Sequence, residues 1–95
     1  MPIGFLMLYI HIPGCASLKE KRSHIKTILA RLHREFNLSV VEYGRLDSWQ
    51  EAEIACALVS NDGVYIHKVM QQVSDFFEVN WPDLNLIKTN LEVIH

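Results

Sequence analysis

The chain opens with a nearly continuous apolar run over residues 3–12, weakened only by Gly4 and His11 and closed by Pro13-Gly14. Such a run is too short for a helix and predicts a central strand. The period then changes. Leu18, Ile25, Ile28, Leu29, Leu32 and Phe36 recur at helical spacing, and Ser17-Leu18-Lys19-Glu20 has the S-x-x-E form of a capping box. A first helix is therefore predicted over residues 18–36, with Asn37 at its exit. Residues 38–43 are β-rich, a polar turn follows over 44–48, and in residues 49–60 Glu51 and Glu53 alternate against Ala52, Ile54, Cys56 and Leu58. These two segments predict an antiparallel hairpin. Asn61-Asp62-Gly63 supplies an N-cap for a second helix, whose apolar face is Ile66, Val69, Met70, Val73, Phe76 and Phe77. Trp81-Pro82-Asp83 stops it, and residues 84–94 close the chain as a last strand.

Two helices, each following one strand and leading to another, form a split β-α-β pattern. The expected class is α+β: a ferredoxin-like β-α-β-β-α-β domain over residues 1–95, with a four-stranded antiparallel sheet and both helices on one face. The first strand is apolar towards both faces, with Leu6, Leu8 and Ile10 on one and Phe5, Met7 and Tyr9 on the other. Nothing else in the chain can cover the second face. A homo-oligomer, most simply a dimer, is therefore expected there, with Tyr43 and Trp49 beside the hairpin turn as further interface residues.

Length and composition narrow the class further. At 95 residues, 49% hydrophobic and 21% charged, the chain suits one folded globular domain and is too apolar for disorder. No window approaches the roughly 20 apolar residues of a membrane span. No Lys or Arg precedes the first apolar run, as a signal peptide would require, so a cytoplasmic protein with no membrane partner is expected. Cys15 and Cys56 form no CxxC pair and read as reduced thiols.

The net charge of −2 conceals a sharp asymmetry. Residues 17–36 hold six of the nine basic residues and two of the eleven acidic ones, so that segment is +4 and the remainder −6. On a helical projection Lys19, Arg22, Lys26 and His33 fall along one flank, Lys21 borders the apolar stripe on the other side, and Arg31 and Arg34 face away. Such a flank suits a phosphate backbone, and RNA or the ribosome is the expected partner. The competing reading is a solvated face whose long stems cover the core edge. No aromatic residues interleave with the cations to act as a stacking platform.

The turn Gly14-Cys15-Ala16-Ser17 at the first helix's N-terminus is a candidate anion loop through Gly14, Cys15 and Ser17. Acylphosphatases share the topology, which makes a small phosphate hydrolase the enzymatic alternative. This loop lacks the arginine that such enzymes bring, and no His or Asn is placed to serve Cys15 as a nucleophile. The five histidines form no HxxxH or HExxH pair, so neither a metal nor any other cofactor is expected. Glu51 and Glu53 share a sheet face and read as solvated or interface charges. No catalytic residues are assigned, and the expected function is non-enzymatic, with a protein-interaction module on the open sheet face as the second reading.

Residues 11–23, His-Ile-Pro-Gly-Cys-Ala-Ser-Leu-Lys-Glu-Lys-Arg-Ser, resemble the PG-x-x-SLKEKR signature of the YlxP-like bacterial family of unknown function. Phe36-Asn37-Leu38-Ser39-Val40, Asp47-Ser48-Trp49-Gln50 and Val59-Ser60-Asn61-Asp62 are similar to the same pattern, in order along nearly the whole chain. The resemblance implies a ferredoxin-like domain. It also implies work near translation, because members are often encoded beside initiation and ribosome-maturation factors. It transfers no catalytic residue.

Overall fold

The computed structural model describes residues 1–95 in the order β1 (Ile3–His11), α1 (Leu18–Glu35), β2 (Ser39–Gly44), β3 (Glu51–Val59), α2 (Gly63–Asn80) and β4 (Asn85–Ile94). All pairings are antiparallel and the strand order is β2-β3-β1-β4, which is the expected ferredoxin-like arrangement. The apolar β1 and β3 take the two central positions.

Alternation along β1 sorts its side chains between two environments. Leu6, Leu8 and Ile10 are buried with Ile54 and Cys56 of β3 beneath Ile25, Ile28 and Leu32 of α1 and Ile66, Met70, Val73 and Phe77 of α2. Gly4 sits on the same side, where a Cβ would run into the Ile66 side chain, so its lack of one lets α2 approach the sheet.

Both helices begin on the caps read from the sequence. The Ser17 Oγ accepts from the Glu20 N–H at 3.1 Å, and the Glu20 carboxylate accepts from Ala16 N–H at 3.0 Å. The reciprocal half of the box thus reaches one residue further back than the usual N-cap amide. Asp62 caps α2 by accepting from Val64 N–H at 3.0 Å. At the far end of α2, Trp81 packs against Phe76 and Phe77 with ring centroids 5.9 and 5.3 Å apart. No helix is long and apolar enough to cross a membrane.

Candidate functional site

The basic flank of α1 survives in part. Lys19, Arg22 and Lys26 are exposed, and neither of the two ion pairs in the structure involves them. With about 1.5 Å of rise per residue, Lys26 lies roughly 10 Å and His33 roughly 21 Å along the axis from Lys19. Glu20, the one acid in the first turn, is turned back into the capping box and makes no ion pair with Lys19 or Arg22. His33 is fixed at the far end, where Nδ1 lies 3.2 Å from the Leu38 carbonyl oxygen and donates to it.

Lys21 is not on this surface. It is buried, with Nζ 2.6 Å from the Arg45 carbonyl oxygen and 3.1 Å from Glu42 Oε2. Its aligned hydrogen bond goes to the carbonyl, and Glu42 Oε2 receives charge compensation without a hydrogen bond of its own. The sequence carried a signal for this placement. Leu18, Lys21, Ile25, Ile28 and Leu32 follow spacings of three, four, three and four, so Lys21 holds a core-facing position that a long amphipathic side chain can occupy. Its partner Glu42 lies on the helix-covered face of β2, next in the alternation to Val40. Arg31 is also partly withdrawn from solvent. Its guanidinium carbon stands 5.3 Å from the Phe76 ring centre and 5.4 Å from that of Trp81, and Nη2 donates to Asn80 Oδ1 at 3.0 Å. Both cations tie α1 to other elements and leave Lys19, Arg22 and Lys26 exposed on the flank, with Arg34 exposed on another side of the helix.

The candidate anion loop is occupied in part by contacts from within, at the amides of Cys15, Ala16 and Glu20. Gly14 adopts φ +73°, the left-handed turn its sequence position suggests. The Cys15 N–H donates to the Ile12 carbonyl at 3.4 Å, and those of Ala16 and Glu20 go to the Glu20 carboxylate and Ser17 Oγ. An incoming anion would have to displace a carboxylate of its own sign. Cys15 is buried with its thiol donating to the Ser17 carbonyl at 3.5 Å, which is the setting of a structural cysteine.

The open side of the sheet gathers most of the remaining candidates. Phe5, Met7 and Tyr9 of β1 and Val41 and Tyr43 of β2 wall an apolar groove of about 580 Å³. Ala55 and Ala57 of β3 form its floor. Trp49, in the β2–β3 connection, is half exposed and does not line the groove. One end of the same face is charged. Arg45 Nη1 lies 3.2 Å from Glu51 Oε2, Lys88 Nζ stands 4.6 Å over the Tyr9 ring, and Asn85 Nδ2 donates to His11 Nδ1 at 3.2 Å.

A designed protein, Foldit4, matches the whole chain and 98% of its own with a TM-score of 0.56, at 13% identity, a likeness of fold alone. In sequence, the chain is 37% identical over 90 residues to the uncharacterized protein YlxP of Bacillus subtilis (strain 168). That match covers 95% of this chain and 97% of YlxP. A family model described as "Protein of unknown function (DUF503)" matches residues 3–91. The signature turn, the capped α1 and the strands around them all fall inside that span, and the chain belongs to this family.

Proposed function

We propose that the chain is a non-enzymatic, cytoplasmic domain that binds RNA, free or within the ribosome, along its phosphate backbone through Lys19, Arg22 and Lys26, with His33 at the far end of the track. The observation that carries this reading is the exposed, unpaired triplet on one flank of α1 in a chain whose net charge is negative. Two of the three cations lie in the first turns, where the helix dipole disfavours positive charge. A local arrangement that costs stability and leaves the charge free suits a ligand bearing many negative charges. Without aromatic residues on the flank the contact reads backbone and not sequence.

The test is RNA binding measured as a function of salt. Three phosphate contacts give a log–log salt slope of roughly −2 to −3, so raising salt from 50 to 200 mM weakens binding about 16- to 60-fold. The triple change Lys19→Ala, Arg22→Ala and Lys26→Ala removes most of that slope, whereas Lys68→Ala on α2 leaves it. Binding indifferent to salt and to the triple change would overturn the reading. The hydrolase alternative is less favoured because the loop brings no arginine and the Glu20 carboxylate already stands against the Ala16 amide.

A further inference from the structure

The uncovered side of the sheet is built in a way that names its occupant. Strand register sets the layout in rows across the central pair: Phe5 beside Ala57, Met7 beside Ala55, Tyr9 beside Glu53 and His11 beside Glu51. Within this central pair the large side chains Phe5, Met7 and Tyr9 stand on β1 and the small Ala55 and Ala57 on β3, with Val41 and Tyr43 of β2 as the outer wall. At the charged end the acids Glu51 and Glu53 stand on β3 and the basic groups His11 and Lys88 on β1 and β4, while Glu92 of β4 lies apart from them beside Phe5. Polarity runs along the strands, from the apolar row of Ile3, Val59 and Ile94 to the charged row at Glu51.

We propose that this face pairs with a second copy of the chain, sheet against sheet. The two-fold axis lies between the sheets, parallel to the strands and midway between β1 and β3. That operation lays β3 of one copy over β1 of the other without changing the row. Phe5 and Met7 fill the troughs over the partner's Ala57 and Ala55, and the partner's Phe5 and Met7 do the same in return. Glu51 meets the partner's His11, whose Nε2 is left free because Asn85 occupies Nδ1. Glu53 comes over the partner's Tyr9, which carries Lys88 on its ring.

The alternatives are worse on the same facts. An axis across the strands would press Glu51 and Glu53 onto the apolar row and bury charge without partners. An axis through β3 would set Glu53 against its own copy and alanine against alanine. Four strands about 4.8 Å apart and nine residues of about 3.3 Å rise give a footprint of roughly 600 Å². Protruding side chains bring the accessible area near the ~800 Å² per partner of an ordinary specific interface. Aligned sheets cross at about −30°, so rows match best near the axis and the polar β4 positions Asn90 and Glu92 fall at the rim. Both helix layers remain outside, and the basic flank of α1 stays free in the pair.

The test is the mass of the purified chain by sedimentation equilibrium. At roughly 100 µM, above the weak end for an interface of this size, a dimer is expected. Ala55→Arg on the groove floor weakens it about 100-fold or more by forcing a charge into an apolar seam, while Val79→Arg on exposed α2 does not. Far-ultraviolet circular dichroism checks that each variant is folded. A mixing experiment probes the axis. His11→Glu gathers four acids at the charged row of a homodimer and Glu51→Lys gathers basic groups there, so each alone weakens self-association. Mixed together, the two variants form a heterodimer. A monomer at 100 µM, a dimer indifferent to Ala55→Arg, or variants that fail to pair on mixing would each overturn the proposal.

Discussion

The two faces of one sheet are apolar for different reasons. On the side covered by the helices, Leu6, Leu8 and Ile10 of β1 are almost fully buried and touch residues from both helices. One residue away, Phe5 remains 41% exposed, and across the sheet Val41 and Tyr43 are 54% and 69% exposed. The covered face holds the chain together, whereas the open face contributes little to the isolated fold and presents a surface. Hydrophobicity alone does not separate these roles. The difference lies in what each residue meets, and substitutions on neighbouring residues of β1 measure it.

Leu8→Ala removes a fully buried side chain between sheet and helices and is expected to cost about 2–5 kcal/mol of stability. Met7→Ala, its neighbour on the open face, is expected to cost less than about 1 kcal/mol in dilute monomeric protein. Urea denaturation of the two variants is the measurement. Equal losses would show that the faces are not distinct.

Much of this division was legible in the alternation itself. The two apolar sets of β1, the alternation of Glu51 and Glu53 against Ala52, Ile54, Cys56 and Leu58, and the helical stripes placed the sheet, its covered face and its open face. The capping box marked the start of α1, and the stretch Asn61-Asp62-Gly63 bracketed that of α2, which the structure caps with Asp62. The exceptions have physical causes. Lys21 reads as a surface cation because lysine is almost never fully buried, yet it occupies a core position and its charge is satisfied by the distant Arg45 carbonyl and Glu42 carboxylate. No local pattern announces such a partner. Arg31 was misplaced for the same reason, since its partners Phe76, Asn80 and Trp81 lie at the far end of α2. Register shifts at Glu42/Gly44 and Tyr9/Ile10 also break the simple alternation of β2 and β4, leaving Tyr43 and Ile87 as extra residues at the charged end of the sheet.

Lys21 is the place where the covered face departs from an apolar layer, and its replacement sharpens the contrast at intermediate cost. Lys21→Ala removes the cation, leaves Glu42 partly buried without it and frees the Arg45 carbonyl that holds the β2–β3 loop. A loss of about 3 kcal/mol is expected, the lower end for removing one partner of a buried pair because the Glu42 side chain keeps 18% exposure. Replacing both residues, as Lys21→Met with Glu42→Met, is expected to return stability to within about 1 kcal/mol of the starting protein. If the double variant is as unstable as Lys21→Ala, the pair supplies specific stabilisation and not merely mutual neutralisation. Thermal and urea unfolding of the three proteins decide this.

The smallest effect near neutral pH, and the one most particular to the covered face, belongs to Cys56. Its thiol lies under the helices, and desolvation pushes its pKa from 9.0 up to about 12. The neutral form is the one the folded chain tolerates. Below pH 9 both folded and unfolded chains keep the thiol protonated, and the group adds no pH dependence. Above pH 9 the unfolded chain ionises while the folded chain does not, so stability falls as pH rises towards 12, by up to about 1.4 kcal/mol per pH unit. The informative quantity is the difference between the starting protein and a variant that lacks the thiol. Cys56→Ala creates a small cavity and loses some stability at pH 7, but its stability should decline less steeply between pH 9 and 11 than that of the starting protein. Parallel slopes would mean that the thiol is hydrated in solution and that the covered face is open at that point. A slope difference would locate the boundary between covered and open faces at β3, where the buried Cys56 lies between Ala55 and Ala57 on the open groove.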